Sequence, residues 1–177
     1  MPRTAHLLLP ILLLLACQLP IRRTGEVPMP RPEPEPVSSS EIAAIERDVI
    51  RVVNGVRDSY DARPLQSNDA MTRAARGHAR ELAQRGVLDH ASSTPGRETF
   101  AKRLGAEGAP AFTLAGENLI QLPYIARDVA DEAVKSWLGS PSHRAQMLEP
   151  TFTDTGVGIA RANNGDWYIV QLFIRRR

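Results

Sequence analysis

An α+β fold, with helices first and strands last, is what the order of hydrophobic patterns predicts. Residues 40–86 carry apolar side chains at three- and four-residue spacing, the period of a helix. The C-terminal stretch carries two apolar runs, "TGVGIARA" and "DWYIVQLFIR", on either side of "NNG". Asn and Gly tolerate positive φ, so this is a hairpin signal. Helices followed by a terminal hairpin favour layered α+β packing over a wound βαβ sheet.

The chain opens with an export signal, residues 1–17. Arg3 supplies the positive start and "LLLPILLLLA" the apolar run, which is shorter than the ~20 residues a membrane span needs. "LLAC" ends on Cys17, the only cysteine, and resembles a bacterial lipobox, whose cysteine is lipidated and becomes the mature N-terminus. On that reading a lipid on Cys17 tethers the protein to a membrane; on the other, Cys17 is discarded with the signal. A lone cysteine makes no internal disulfide, so an exported domain must rely on its core. Residues 18–39 include "PMPRPEPEPVSSS". Proline lacks the N–H that ladders and helices need, so this segment is expected to be an extended spacer.

The folded domain is expected over residues 40–177. Ser39 or Ser40 can cap a first helix, with Ile42, Ile45, Val49, Val53 and Val56 on its apolar side. A second helix should run from Asn68 or Asp69 to a stop at Gly86, with Met71, Ala74, Ala75, His78 and Leu82 inward. A short third helix is expected over 96–104, closed by Gly105. "FTLAGENLI" then reads as extended, with Gly116 interrupting the pattern. A fourth helix over 126–138 presents Val129, Ala133, Val134 and Trp137. "SPSH" starts a further helix: Ser140 suits the cap, and Pro141 suits the first helical position, where a missing N–H costs nothing.

Charge narrows the function. The formal net charge is +2, and acidic and basic residues are mixed, which argues against a nucleic-acid surface. Arg175, Arg176 and Arg177 form the one basic cluster and are expected to be a solvated tail. No phosphate-binding loop, dinucleotide fingerprint, CxxC pair or HExxH helix occurs.

Of the four histidines, His6 lies in the signal and His78 on the apolar side of a helix, where a hydrogen-bonded core role is expected. His90 follows the Gly86 stop in a loop. His143 would be the third residue of its helix, where the positive end of the dipole disfavours imidazolium. The neutral ring is the form that binds metal or accepts a proton. Glu117, inside an apolar segment, needs a partner if buried, and His90 and His143 are the candidates. Two imidazoles and a carboxylate form a donor set suited to a divalent cation such as zinc. Their sequence separation does not show that they meet.

These residues carry a family likeness. "NGVRDSYDARPLQSNDAM", "HARELAQRGVLDHAS", "GEN", "VKSWLGSPSHRAQMLEPTFTDTGVGIA" and "DWYIVQLF" follow one another as in the CAP superfamily (cysteine-rich secretory, antigen 5 and pathogenesis-related 1 proteins), and the chain resembles its bacterial, cysteine-free branch. The resemblance implies a three-layer α–β–α sandwich with a central, largely antiparallel sheet. It also implies a surface cleft where His90, Glu117 and His143 meet. Many eukaryotic members have a second glutamate a few residues after the tryptophan; here Trp137 is followed by Leu138, Gly139 and Ser140.

Three functions compete. One is an envelope binding module whose cleft takes a lipid, glycan or protein ligand and a divalent cation. Another is an envelope peptide or lipid hydrolase. It would use Ser92, Ser93 or Ser142 as nucleophile, or a metal-activated water. The last is a polar network with a purely structural role.

Overall fold

The structure is a computed structural model that describes residues 36–123 and 128–177. The signal, Cys17, residues 18–35 of the spacer and the expected helix start at Ala126 lie outside the described residues.

Helix α1 (Ser39–Asp58) is capped by Ser38, not by Ser39 or Ser40. Only Ser38 stands three residues before Glu41, the spacing a reciprocal cap requires. Glu41 N–H donates to Ser38 Oγ at 3.2 Å, and the Glu41 carboxylate accepts from Ser38 N–H at 2.8 Å. Helix α2 (Asp69–Arg85) is capped by Asn68 and stops as expected at Gly86, whose φ of 66° closes the last turn. Helix α3 (Phe100–Ala106) starts later than expected, because Thr99 provides the cap; Gly105 stays helical and Gly108 takes the left-handed position. Helix α4 (Val129–Gly139) is followed by α5 (Pro141–Leu148). Pro141 occupies the first turn of α5, but the Ser140 side chain makes no capping hydrogen bond.

Strands β1 (Gln66–Ser67), β2 (Phe112–Leu122), β3 (Asp154–Arg161) and β4 (Trp167–Arg176) form one sheet in the order β1-β3-β4-β2. The β1–β3 pair is parallel; β3–β4 and β4–β2 are antiparallel. Strand β1, two exposed residues long, has no periodicity to betray it. Gly116 does not break β2, which stays in register with β4 as Gly116↔Phe173.

Helices cover both faces of this sheet. Along β4, Trp167, Ile169 and Phe173 pack into one core with Val49 and Val53 of α1 and Val134 and Trp137 of α4. The alternate residues Tyr168, Val170, Leu172 and Ile174 enter a second core with Met71, Ala75 and Leu82 of α2 and Leu104 of α3. Successive side chains of a strand point to opposite faces. A strand buried on both reads as a continuous apolar run, as β4 does. The result is the α–β–α sandwich.

Helix α2 lies directly on β3. A Cβ at Gly158 would fall 2.0 Å from Arg76 N and 2.2 Å from Ala75 C, and one at Gly156 2.4 Å from Met71 C. The glycines thus let helix backbone meet strand backbone.

The C-terminal arginines are exposed, as expected, but Arg175 and Arg176 belong to a strand and not to a loose tail. Strand β4 runs through Arg176, whose guanidinium pairs with the buried carboxylate of Asp154. Arg175 donates to Thr113 Oγ1 at 2.7 Å. Hydrogen bonding to β2 and β3 carries the chain end into the sheet.

Candidate functional site

The site forms around β2 because β2 is an edge strand. Residues of "GEN" alternate between the two helical layers that overhang this edge. Glu117 turns toward the α2–α3 layer, while Gly116 and Asn118 turn toward α5. Asn118 Nδ2 donates to the His143 carbonyl at 3.0 Å, tying α5 to the strand. At Gly116 an added Cβ would lie 1.9 Å from Gln146 Oε1 and 3.2 Å from the Phe152 ring. A side chain there would push α5 away.

Glu117 is almost fully buried, with its side chain 1 % exposed, and each of its oxygens has a partner. Arg103 Nη2 donates to Oε2 at 2.5 Å, and His90 Nδ1 lies 2.9 Å from Oε1. A carboxylate only accepts, so Nδ1 carries the proton and, in the neutral ring, Nε2 holds the free lone pair. The Arg103 guanidinium, 2 % exposed, also donates to the carbonyls of His90 and Arg97 at 3.3 Å. Arg103 therefore holds both the carboxylate and the backbone of the histidine that the carboxylate orients.

The loop carrying His90 is fastened a second time. Glu81, on α2, accepts from the Ser92 hydroxyl, from Ser93 N–H at 2.6 Å and from Ser93 Oγ at 2.8 Å. Burial would raise the Glu81 pKa, but the hydrogen bonds from Ser92 and Ser93 outweigh it and hold it at about 2. His78 is the core histidine expected: its Nε2–H donates to the Asp89 carbonyl at 2.9 Å.

His90, Glu117 and His143 line one cleft of about 280 Å³, with Phe100, Asn118 and Gln146. His90 comes from the α2–α3 layer and His143 from α5, so the cleft straddles the strand edge. The His90 side chain is 61 % exposed while its carboxylate partner is buried. Among the described residues no three His, Cys, Asp or Glu side chains stand together as a ligand set for a metal ion. Glu117, with one oxygen on each partner, is not a free donor. Of the candidate nucleophiles, Ser92 is buried and its hydroxyl serves Glu81, as does that of Ser93. Ser142 does line the cleft.

The two cleft histidines titrate in opposite directions. The hydrogen bond to Glu117 raises His90 above the ordinary 6.5, whereas burial and then the charge of His90 lower His143 below it. Burial, and then Arg103, lower His78. A raised value means that the His90 contribution to stability is complete below pH 6.5 and is lost as pH rises through the folded-state pKa. Lowered values mean that His78 and His143 cost stability as pH falls below 6.5. A histidine-resolved NMR titration is expected to give a midpoint above 6.5 for His90 and below it for His143; the reverse order would contradict the Glu117 contact.

The family model for the cysteine-rich secretory protein family, CAP, matches residues 50–173. This chain belongs to the CAP family. Its CAP domain is similar to two Bacillus subtilis (strain 168) proteins. The uncharacterized protein YkwD is 29 % identical over 71 % of this chain and 46 % of its own length. The uncharacterized membrane protein YlbC is 30 % identical over 74 % of this chain and 34 % of its own. The chain thus spans less than half of either relative. Among solved structures, an extracellular SCP-domain protein from Bacillus anthracis str. Ames superposes with a TM-score of 0.66. It is 24 % identical, covering 80 % of this chain and 45 % of that one.

The structure brings the three predicted cleft residues of the CAP domain to one surface. Sequence reasoning missed Arg103 and Glu81. One signal for Arg103 was available: a buried glutamate calls for a cation as readily as for an imidazole, and Arg103 sits beside Leu104 in a predicted helix.

Proposed function

We propose that this CAP protein is an exported ligand-binding module, held to a membrane by a lipid on Cys17, that captures an envelope ligand in the His90–Glu117–His143 cleft without turning it over. The observation that carries this reading is the clamp on His90. Its inner nitrogen is held by a buried carboxylate that is itself held by buried Arg103, while the ring faces solvent. That arrangement presents one oriented imidazole to a ligand. The reading against catalysis rests on the serines of the His90 loop, whose hydroxyls are committed to Glu81.

A divalent cation such as zinc fits this chemistry in a narrower way than a three-donor set. His90, through Nε2, and His143 would hold the ion, with Glu117 behind His90 as the carboxylate that fixes its tautomer. Bound zinc would supply a Lewis acid for a ligand oxygen or carboxylate. Isothermal titration of protein purified without chelator or histidine tag should show saturable zinc binding. Affinity should fall about 10–100-fold in Glu117→Gln, the usual effect of losing a partner behind a ligand. Unchanged affinity in the His90→Ala, His143→Ala double variant would sink the metal reading.

The hydrolase reading keeps one observation in its favour: His90 and Glu117 form an oriented imidazole–carboxylate pair, the half of a catalytic triad that activates a nucleophile. Ser142, the candidate serine that lines the cleft, would have to supply the hydroxyl. Ester and peptide substrates turned over by wild type but not by His90→Ala would establish catalysis and overturn the binding reading.

A further inference from the structure

A second cavity, larger than the histidine cleft, opens at a described surface. It lies further along β2, where the C-terminal end of α2 faces the β3–β4 turn. Its volume is about 550 Å³, within the ~300–1,000 Å³ usual for small-molecule sites. No lining residue is shared with the cleft.

Its chemistry is unlike that of an apolar ligand site. Arg80, Arg85 and Arg161 line it with Gln84, Gln121 and Asn163, and no carboxylate is among the described lining residues. Arg85 is engaged by Glu81 at 3.2 Å. Arg80 is exposed and makes no ion pair among the described residues. Arg161 is held in place: its Nε donates to the Gly165 carbonyl at 3.0 Å, and its guanidinium stacks 4.9 Å over the Trp167 ring. The neighbouring carboxylate, Asp166, is bonded to Gln121 Nε2 at 3.0 Å and Asn164 Nδ2 at 2.9 Å. Tyr168, part of the pocket wall, adds a hydroxyl that makes no hydrogen bond to any described residue.

We propose that this pocket binds a negatively charged sugar, with Arg80 and Arg161 at its carboxylate or phosphate and the carboxamides and Tyr168 hydroxyl at its hydroxyl groups. Guanidinium forks match both kinds of oxyanion, and carboxamides both donate to and accept from hydroxyls. The site is independent of the histidine cleft, so either can fail without the other.

Isothermal titration of the full-length protein in detergent, with glucuronate, glucose 6-phosphate, glucose and inorganic phosphate, tests it. Saturable binding is expected for glucuronate, glucose 6-phosphate or both, and which one binds identifies the anion. Glucose and inorganic phosphate should each bind about tenfold more weakly, since each lacks half of the recognised groups. Arg80→Glu, at an exposed position, should reduce affinity at least about tenfold, and Tyr168→Phe about fivefold. His90→Ala should leave it unchanged. No saturable binding of either charged sugar would overturn the proposal. So would glucose or phosphate equalling them, wild-type affinity in Arg80→Glu, or a loss in His90→Ala matching that in Arg80→Glu.

Discussion

Glu117→Ala is expected to lower folding stability by about 3–5 kcal/mol, the usual cost of leaving one member of a buried ion pair without the other. The loss arises at Arg103, whose guanidinium is buried and, with the carboxylate gone, is left among the described residues with the His90 and Arg97 carbonyls. Urea unfolding monitored by tryptophan fluorescence measures it. Two companion results separate this mechanism from simple cavity formation. Glu117→Gln keeps the volume and should still be strongly destabilising, while Glu117→Leu combined with Arg103→Met should recover much of the loss, because buried pairs are often replaceable by apolar residues of similar size. In Glu117→Gln the His90 midpoint should also drop, since the hydrogen bond that raises it is gone. A single-variant cost below about 1 kcal/mol would mean that solvent reaches Arg103 and that the pair is not the keystone of the site.

Gly158→Val is expected to be as damaging for a different reason. Overpacking a core costs about 1–3 kcal/mol when side chains can move aside. Here the obstacle is the backbone of α2 at Ala75 and Arg76, with the first added atom already 2.0 Å from an amide nitrogen. The whole helix must shift, so the cost should reach or exceed the top of that range. The displacement should also reach the cleft, because α2 carries Glu81, which fastens Ser92 and Ser93 beside His90. Broadening or splitting of the His90 NMR signal is therefore expected together with a lower urea midpoint. Gly77→Ala is the control. It lies in α2 with open space around it, and replacing a helical glycine by alanine should stabilise by about 0.5–1 kcal/mol. If Gly158→Val proved neutral, the close contact between α2 and β3 would be wrong.

Legibility followed the range over which each feature is encoded. The stop at Gly86, the proline start of α5 and the β3–β4 turn were readable because each depends on a few neighbouring residues. The first cap was misplaced by one or two positions because three serines in a row compete, and the side-chain reach of Glu41 decides among them. Strand β1 was invisible, its two exposed residues being held by hydrogen bonds from Gln66 to Thr153 and from the adjoining Asn68 to Thr155, not by any pattern of their own. The C-terminal arginines are exposed as expected, but their place in the sheet was hidden for a similar reason: Asp154, which holds Arg176, lies in another strand.

The candidate site divides in the same way. His90, Glu117 and His143 stood out as chemically conspicuous residues in a familiar order. Arg103 and Glu81 did not, although they hold the first two in place. What the sequence determined alone was the succession of helices and strands, most of their ends and the residues worth watching, since period and capping are properties of adjacent positions. Only the tertiary structure decided that β2 is an edge strand, that Glu117 faces α3 while Asn118 faces α5, and that an arginine rather than a second histidine completes the buried pair. Such choices depend on which faces of distant elements abut, and that is settled by strand order and layer packing rather than by any local stretch of chain.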